Sequence, residues 1–479
     1  MSTESLNVSE NEIPAANPTP VPKAKGAMSL TEGPIGKTLL LFSLPILASS
    51  ILQSLNASIN AIWIGRLLGE RALTASANAN SLLFFLLGSV FGLGMASTVL
   101  VGQSLGAKNL DQAKRTIGTS LMVYVIISIV ASVAGFVFAP GVLAAMHTPP
   151  DSLPLASAYL RVIFIALPGM FLYTFVMMSL RGAGDAKTPF VFLLLSAVLD
   201  VALNPLLIRG FGPIPALGIA GSALATAIAQ WTSLVALIGW LYYSKHFLRI
   251  GHGERHYLRI DPVILRALIF KGVPMGLQMI VMTSSMLVMI SFVNHFGSQV
   301  TAAYGACTQL WNYVQMPAFS IGAGVSSMAA QNVGAGLWDR VRKIAGSGVL
   351  LNIAITGLIV LIITLADHFA FSLFLGEGSA AVAIAQHIHL IVSWSFILFG
   401  ITVVLAGVVR STGAVVPPLV ILFIGLWLVR IPVAHWLAPR WGADGIWWSF
   451  PIGSVVTVGL TIAYYRFGRW RKAHMLATS

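Results

Sequence analysis

Long apolar stretches constrain this chain more than any other feature. Between Leu39 and Tyr465, about twelve apolar runs alternate with short polar or Gly- and Pro-rich breaks. An α-helix needs a run of roughly 20 apolar residues to cross the hydrocarbon core of a bilayer. The runs are continuous and do not alternate every second residue, which excludes the pattern of membrane β-barrel strands. The sequence therefore predicts an all-α integral membrane protein with twelve transmembrane helices.

The scarcity of charge agrees with a membrane protein. Only 9% of the 479 residues are charged, whereas soluble proteins carry about a quarter charged residues. The single cysteine, Cys307, excludes an intrachain disulfide. The sequence contains no nucleotide-cradling loop, no nucleophile–base pair with recognisable spacing and no cluster with metal-ligand spacing. We therefore predict that the protein is not an enzyme and uses neither a cofactor nor a metal.

The two halves of the chain repeat each other. The segment "GQSLGAKNLDQAKR" at 102–115 aligns with "AQNVGAGLWDRVRK" at 330–343. Other landmarks recur in the same order and at nearly the same separation, namely Pro45 with Pro274, Arg181 with Arg410, and "GIAG" with "GADG". Six helices return the chain to its starting side of the membrane. The halves are thus predicted to be parallel repeats about an axis along the membrane normal.

This repeat and the distribution of charge predict the domain organisation and topology. The predicted parts are a disordered cytoplasmic N-terminal tail (1–35), a six-helix N-lobe (36–243), a cytoplasmic linker (244–263), a six-helix C-lobe (264–465) and a basic cytoplasmic tail (466–479). Most of the 28 Lys and Arg residues fall in segments that this topology places inside. The basic excess is therefore assigned to anionic lipid headgroups, with no nucleic acid as partner. The predicted location is the inner (plasma) membrane, with both termini cytoplasmic.

One carboxylate lies in the middle of a predicted span. Asp200 belongs to "LLSAVLDVALNPLL" at 194–207, and a charge at the bilayer centre costs about 2.5–3.5 kcal/mol on insertion scales. Ser196 and Asn204 lie four residues on either side of Asp200, so the three share one helix face. Pro205 removes a backbone hydrogen bond beside them. The pattern predicts a proton or cation site; the alternatives are a structural hydrogen-bonder and a sodium site, which would need several oxygen ligands at once.

Other polar residues and prolines in the spans are weaker candidates. As candidates for lining a substrate cavity or bending a helix we single out Asn56, Asn60, Pro45, Gln278 and Gln309. Any of the amides could instead join neighbouring helices through hydrogen bonds. The chain's many Trp, Phe and Met residues suit contact with lipid, and some could line a cavity for apolar cations.

Several motifs resemble the multidrug and toxic compound extrusion (MATE) family over roughly residues 34–465. They are "GPIGKTLLLFSLPILASSILQSLNASINAIWIGRLLG", "GQSLGAKNLDQAKR", "LRGAGDAKTP", "LDVALNPLLIRGFGPIPALGIAGSALATAIAQ", "GVPMGLQ" and "QNVGAG". The resemblance implies two six-helix bundles that face each other in a V. It also implies a secondary antiporter that expels organic cations in exchange for protons or sodium.

The chain departs from the family at three acidic positions. Many members carry an acidic residue where Asn60 stands here. The NorM-type branch has acidic residues in the seventh and tenth spans, where the aligned places hold Met282 and Phe399. The acidic residue before Asn-Pro is kept as Asp200, which is similar to the DinF-like branch. The resemblance therefore implies proton coupling through the N-lobe.

The leading hypothesis is a monomeric antiporter that exports amphipathic, cationic drugs or toxins in exchange for protons. Its partners would be these small molecules, the ion gradient and membrane lipids. Sodium-coupled efflux is one alternative. A lipid-linked precursor flippase is another alternative. It would require basic residues in its cavity to bind the pyrophosphate, and Arg161 and Arg430 are the candidates. A channel is disfavoured, because Leu428 and Val429 stand where the second half would repeat Asp200.

Overall fold

The N-lobe consists of six long helices. The computed structural model describes residues 28–145, 152–212 and 215–476. The N-lobe helices are α1 (Ile35–Leu68), α2 (Glu70–Gly106), α3 (Leu110–Ala145), α4 (Leu153–Gly182), α5 (Lys187–Arg209) and α6 (Gly218–Tyr243). A 3₁₀ segment, His252–Leu258, lies in the linker to the second half.

The C-lobe repeats this arrangement with two interrupted spans. Its helices are α7 (Pro262–Asn294), α8 (Ser298–Gly334), α9 (Trp338–Leu365), α10 (Asp367–Leu375), α11 (Ala380–Val392), α12 (Ser395–Arg410), α13 (Val416–Phe423), α14 (Ile431–Trp441) and α15 (Ala443–Phe467). Helices α11 and α12 form one span bent by 45°. A π-helical segment, Ile424–Arg430, joins α13 to α14 within the next span.

Twelve spans result from this set of helices. Among the described residues, nine helical stretches are long and apolar enough to cross a membrane, and the bent pair makes ten. The remaining two spans are α2 and α8, each 37 residues long. These two helices are less apolar because they pack between the lobes, and polar residues of α8 such as Ser326, Gln331 and Asn332 are buried there. The all-α, twelve-helix fold predicted from the sequence is confirmed.

The two lobes meet at one end through the repeated motif, and we call this the closed end. The Gln103 side chain of α2 donates to the Ser411 carbonyl at 2.6 Å, and the Gln331 side chain of α8 donates to the Gly182 carbonyl at 2.9 Å. A Cβ on Gly106 would lie 1.9 Å from the Gln331 carbonyl oxygen, and one on Gly334 would lie 2.0 Å from that of Gln103. The contacts are reciprocal, as a twofold-related interface requires. Only glycine allows this backbone approach.

The tail preceding α1 is ordered from residue 28, which corrects the predicted disordered segment 1–35. Leu30 is fully buried, the Met28 amide donates to the Gly184 carbonyl, and the Asn332 side chain donates to the Leu30 carbonyl. An apolar side chain and paired backbone groups fix this stretch between the lobes. The composition of residues 1–35 is polar on average, so it does not indicate that Leu30 and its neighbours are buried. Residues 1–27 lie outside the described part of the chain.

The C-terminal segment also packs at the closed end. Trp470 and Met475 are each 2% exposed. The Thr412 hydroxyl donates to the Trp470 carbonyl at 2.9 Å, while Met475 packs with α2 residues such as Val99 and Leu100. The segment therefore touches both lobes where they meet.

Adding a methyl group at Gly334 should loosen the closed end. The Gly334→Ala side chain would collide with the Gln103 backbone, and overpacking of this kind costs about 1–3 kcal/mol. Spin labels at the exposed positions Ala107 and Asp339 should report a larger fraction of separated lobes than in the wild type.

Gly346→Ala is the matched control, because no atom lies within 4 Å of the Cβ it would add. An unchanged distance distribution in Gly334→Ala would show that the reciprocal glycine contacts do not hold the lobes together.

Candidate functional site

Asp200 lies at the centre of a hydrogen-bond network inside the N-lobe. The residue is 2% exposed on α5. One carboxylate oxygen, Oδ2, accepts from the Asn56 and Asn60 amides, each at 2.7 Å. The other, Oδ1, accepts from Asn204 at 3.1 Å and from the Thr226 hydroxyl at 3.0 Å. An ionised carboxylate is acceptor-only with about four lone-pair sites, so these four donors match the charged form.

The donors come from three helices and are themselves connected. Asn56 and Asn60 lie one turn apart on α1, Asn204 follows Asp200 by one turn on α5, and Thr226 is on α6. Asn204 also donates to the Asn60 side-chain oxygen at 3.0 Å. Two buried amide oxygens, Asn56 Oδ1 and Asn204 Oδ1, have no hydrogen-bond partner within the described residues. The site can therefore offer acceptors as well as donors.

This network forms one wall of a polar cavity of about 310 Å³. Side chains from five helices line the cavity, and its polar lining consists of Gln53, Asn56, Asn60, Ser76, Asn80, Tyr159, Ser196, Thr226 and Gln230. Asp200 lies behind this lining, because its own hydrogen-bonding partners face the cavity. A small molecule or ion in the cavity would therefore contact the partners first and the carboxylate through them.

The structure brings together most of the residues predicted on the first and fifth helices. Asn56, Asn60, Asp200 and Asn204 form one hydrogen-bonded group, and Ser196 lines the same cavity one turn before Asp200. Sequence reasoning missed Thr226. A signal was present, because Thr226 and Gln230 are four residues apart and therefore share one face of α6, a helix without charged residues.

The predicted residues of the second half lie elsewhere. Gln278 accepts a hydrogen bond from Arg410 at 2.8 Å and lines a separate cavity of about 230 Å³ where the lobes meet. Gln309 is exposed on α8 and lines neither cavity. Pro45 and Pro205 are interior positions of α1 and α5, neither of which is interrupted there, so their role in bending stays a prediction.

The C-lobe has aromatic side chains where the N-lobe has its polar cavity. When the two repeated motif segments are aligned, Ser76 corresponds to Tyr304. When "GIAG" is aligned with "GADG", Thr226 corresponds to Phe450. Both aromatic residues are buried, and Tyr304 stacks on Trp447 with ring centroids 5.7 Å apart. The guanidinium of Arg430 lies 4.4 Å from the Phe450 ring centroid. The polar site is therefore a property of one lobe only.

No group of three or more His, Cys, Asp or Glu side chains comes together as a metal site within the described ranges. The single cysteine, Cys307, is buried and donates to the Ala385 carbonyl. The arrangement around Asp200 has one carboxylate and neutral partners, which suits a proton or a monovalent cation better than a divalent metal.

Comparison with known proteins points to one family. The family model described as MatE matches residues 45–206 and 274–436, one match in each lobe. Two relatives from Bacillus subtilis (strain 168) cover almost the whole chain. "Probable multidrug resistance protein YoeA" is 38% identical and covers 91% of this chain and 95% of its own length. "Probable multidrug resistance protein YpnP" is 33% identical and covers 93% and 98%.

Solved structures share the fold. One described as the outward-facing conformation of a multidrug resistance MATE family transporter of the MOP superfamily matches with a TM-score of 0.85. The match covers 93% of this chain and 98% of that one at 18% identity. It agrees with the two-lobe, twelve-span architecture described above.

Removing one donor to Asp200 should alter the site without unfolding the lobe. Thr226→Val keeps the shape of the side chain but deletes the hydroxyl that donates to Oδ1, and a hydrogen bond to a charged group contributes about 1.5–3 kcal/mol. The carboxylate then keeps only three of its four donors, so the rate of transport should fall by about tenfold or more.

Thr232→Val on the exposed face of the same helix is the control and should leave the rate of transport unchanged. Equal rates for the two variants would mean that the Thr226 hydroxyl does not act on Asp200.

Proposed function

Because the chain belongs to the MatE family of multidrug and toxic compound extrusion transporters, we propose that it exports amphipathic, cationic drugs or toxins in exchange for protons. The observation that carries this proposal is the isolation of Asp200. Its carboxylate is buried, has four neutral donors, and makes no ion pair among the described residues. Such a group can exchange a proton without breaking a salt bridge.

The hydrogen-bonding groups around Asp200 support both protonation states. The charged form is stabilised by four donors, as described above. The protonated form becomes a donor itself, and the unpaired oxygens Asn56 Oδ1 and Asn204 Oδ1 lie on the residues that surround it. Rotation of one amide would turn a donor into an acceptor. The site therefore suits a group that gains and loses a proton during each cycle.

Sodium coupling is the second candidate, and the same two amide oxygens favour it. A sodium ion would take several oxygens at once, which the Asp200 carboxylate, Asn56, Asn204 and Ser196 could offer. In our proposal the proton is preferred, because the acidic residues that the NorM-type branch carries in its second half are absent at Met282 and Phe399. The same pattern makes the chain closer to the DinF-like branch.

The cavities support an amphipathic substrate. The cavity of about 230 Å³ where the lobes meet is lined mainly by apolar side chains, including Met275, Met279, Phe319 and Phe399. Arg410 also lines it, bound to Gln278. Aromatic faces attract cations and Met adapts to varied shapes. The Asp200 carboxylate lies behind the wall of the N-lobe cavity, and its negative charge favours a cationic substrate. The names of the two Bacillus relatives also describe multidrug resistance.

A lipid-linked precursor flippase receives less support. That activity would require basic side chains in the transport cavity, and the lining of the N-lobe cavity beside Asp200 contains none among the described residues. Arg161 is exposed on α4, where its guanidinium lies 5.7 Å from the Phe136 ring centroid. Arg430 belongs to the other lobe and covers Phe450.

In the membrane, we propose that the closed end faces the cytoplasm, together with both termini. This orientation follows from the excess of Lys and Arg in the segments at that end. The N-lobe cavity would then be reached from the outside, as expected of an outward-facing state, and the location would be the plasma membrane. The protein would act as a monomer.

Transport in proteoliposomes with separately imposed gradients tests the proposal. Vesicles preloaded with a fluorescent organic cation should lose it faster when the outside buffer is acidified, and an inward sodium gradient at constant pH should have no effect. Asp200→Asn preserves the size of the side chain but cannot carry the proton, so its efflux should fall to the rate of protein-free vesicles.

Asp444→Asn is the matched control, because this carboxylate is partly exposed and pairs with His387 in the C-lobe. Its efflux should equal that of the wild type. If efflux responds to the sodium gradient and not to the proton gradient, the coupling ion is sodium. If Asp200→Asn exports the cation at the wild-type rate, Asp200 does not take part in transport.

A further inference from the structure

A second cavity lies in the N-lobe at the closed end, away from Asp200. Its volume is about 350 Å³, and it is enclosed by α3, α4, α6 and the linker. The walls are mainly apolar, with Ile117 from α3, Phe175 from α4 and Leu248 from the linker. The linker lies between the two MatE matches, which cover residues 45–206 and 274–436, and the proposed transport mechanism does not use this cavity.

The cavity continues an apolar stripe on the outer surface of α6. Trp231, Val235, Ile238 and Tyr242 are all exposed, at 40%, 65%, 38% and 46%. Their spacing of four, three and four residues places them on one helix face. The last two of these residues also line the cavity. A hydrocarbon chain lying on α6 within the bilayer would therefore reach the cavity without leaving an apolar surface.

Cationic side chains lie where the cavity meets the linker. Arg249, His252 and Arg255 all line it, and no Asp or Glu does so in the described part of the chain. The nearby carboxylate of Glu254 is held by Lys114 of α3 and by the Gly251 amide. Those hydrogen bonds lower the pKa of Glu254 below its ordinary value, chiefly through Lys114. The acid is therefore already paired. Arg249 donates one hydrogen bond to the Tyr242 carbonyl at 3.5 Å, which leaves its other N–H groups and the Arg255 guanidinium to bind a further anion.

The depth of this site matches the headgroup region of a bilayer. Tyr242 and Tyr243 are exposed at the end of α6, and the Tyr242 hydroxyl donates to the Ile250 carbonyl of the linker at 2.7 Å. Exposed Trp and Tyr side chains mark membrane interfaces. Basic pockets between transmembrane helices on the cytoplasmic side are suited to the headgroups of anionic lipids.

We propose that this cavity binds an anionic phospholipid, with an acyl chain along the α6 stripe and in the cavity and with the phosphate between Arg249 and Arg255. The lipid would contact the linker, which joins the two lobes. The linker is fastened to α3 by Lys114 with Glu254 and by the Tyr257 hydroxyl with Asp111 at 2.7 Å.

Native mass spectrometry of the full-length protein tests the proposal with lipids of matched acyl chains. Wild-type protein should retain phosphatidylglycerol in preference to phosphatidylcholine. Arg249→Ala combined with Arg255→Ala should weaken phosphatidylglycerol retention by roughly tenfold or more, because each basic residue near a membrane surface contributes a several-fold effect. Arg259→Ala with Arg266→Ala removes the same charge outside the cavity lining and should leave the retention unchanged.

Two further measurements separate a lipid site from general charge attraction. Val176→Trp fills the cavity but keeps both arginines, and it should also reduce lipid retention. Glycerol phosphate, which has the phosphate without acyl chains, should not compete at equal concentration. Equal losses in both arginine pairs, equal retention of the two lipids, or full competition by glycerol phosphate would each overturn the proposal.

Discussion

The burial of one carboxylate determines how the N-lobe is built. An ionised group in an apolar interior costs several kcal/mol unless hydrogen bonds replace the lost water. Asp200 obtains four such bonds, from α1, from its own helix α5 and from α6. Asn56 and Asn60 are one turn apart on α1, so both can reach the carboxylate. Together with Asn204 of α5 and Thr226 of α6, they bring donors from three helices to one point. The cavity exists because polar side chains, which do not fill space as aromatic ones do, line these helices.

The C-lobe shows what the same architecture becomes without that carboxylate. Tyr304, Trp311, Phe396, Trp447 and Phe450 are all buried there, and their rings pack against one another. Burial of these aromatic rings contributes to the stability of this lobe. Duplicated helices thus support two different interiors, one with a polar cavity and one with packed aromatic rings. The asymmetry follows from side chains at matched positions, since the helix arrangement is shared.

The sequence predicted the parts of the molecule that depend on pattern. Apolar runs and the internal repeat predicted the spans and the two lobes, and the four-residue spacing of Ser196, Asp200 and Asn204 predicted that the three share one helix face. The sequence could not show that this face meets Asn56 and Asn60, or that Thr226 completes the set, because those contacts depend on how α1, α5 and α6 pack. The packing of residues 28–34 could not be predicted either, because Leu30 is buried in a groove between the lobes and composition does not reveal that groove.

Helix α1 links the site to the contact between the lobes. Near its start, Leu39 and Phe42 pack with Ile321 and Val325 of the C-lobe, and the Ser43 hydroxyl lies against Gly324. About 20 Å further along the same helix, by the rise of 1.5 Å per residue, Asn56 and Asn60 bind the carboxylate of Asp200. If a proton on Asp200 changes what these amides donate or accept, the resulting shift acts on the helix that also fastens the lobes together. Pro45 lies between the two contacts and cannot donate a backbone hydrogen bond, so bending of α1 at this residue stays a prediction. Helix α1 therefore contacts both the C-lobe and the carboxylate of Asp200 directly, without a longer chain of contacts between them.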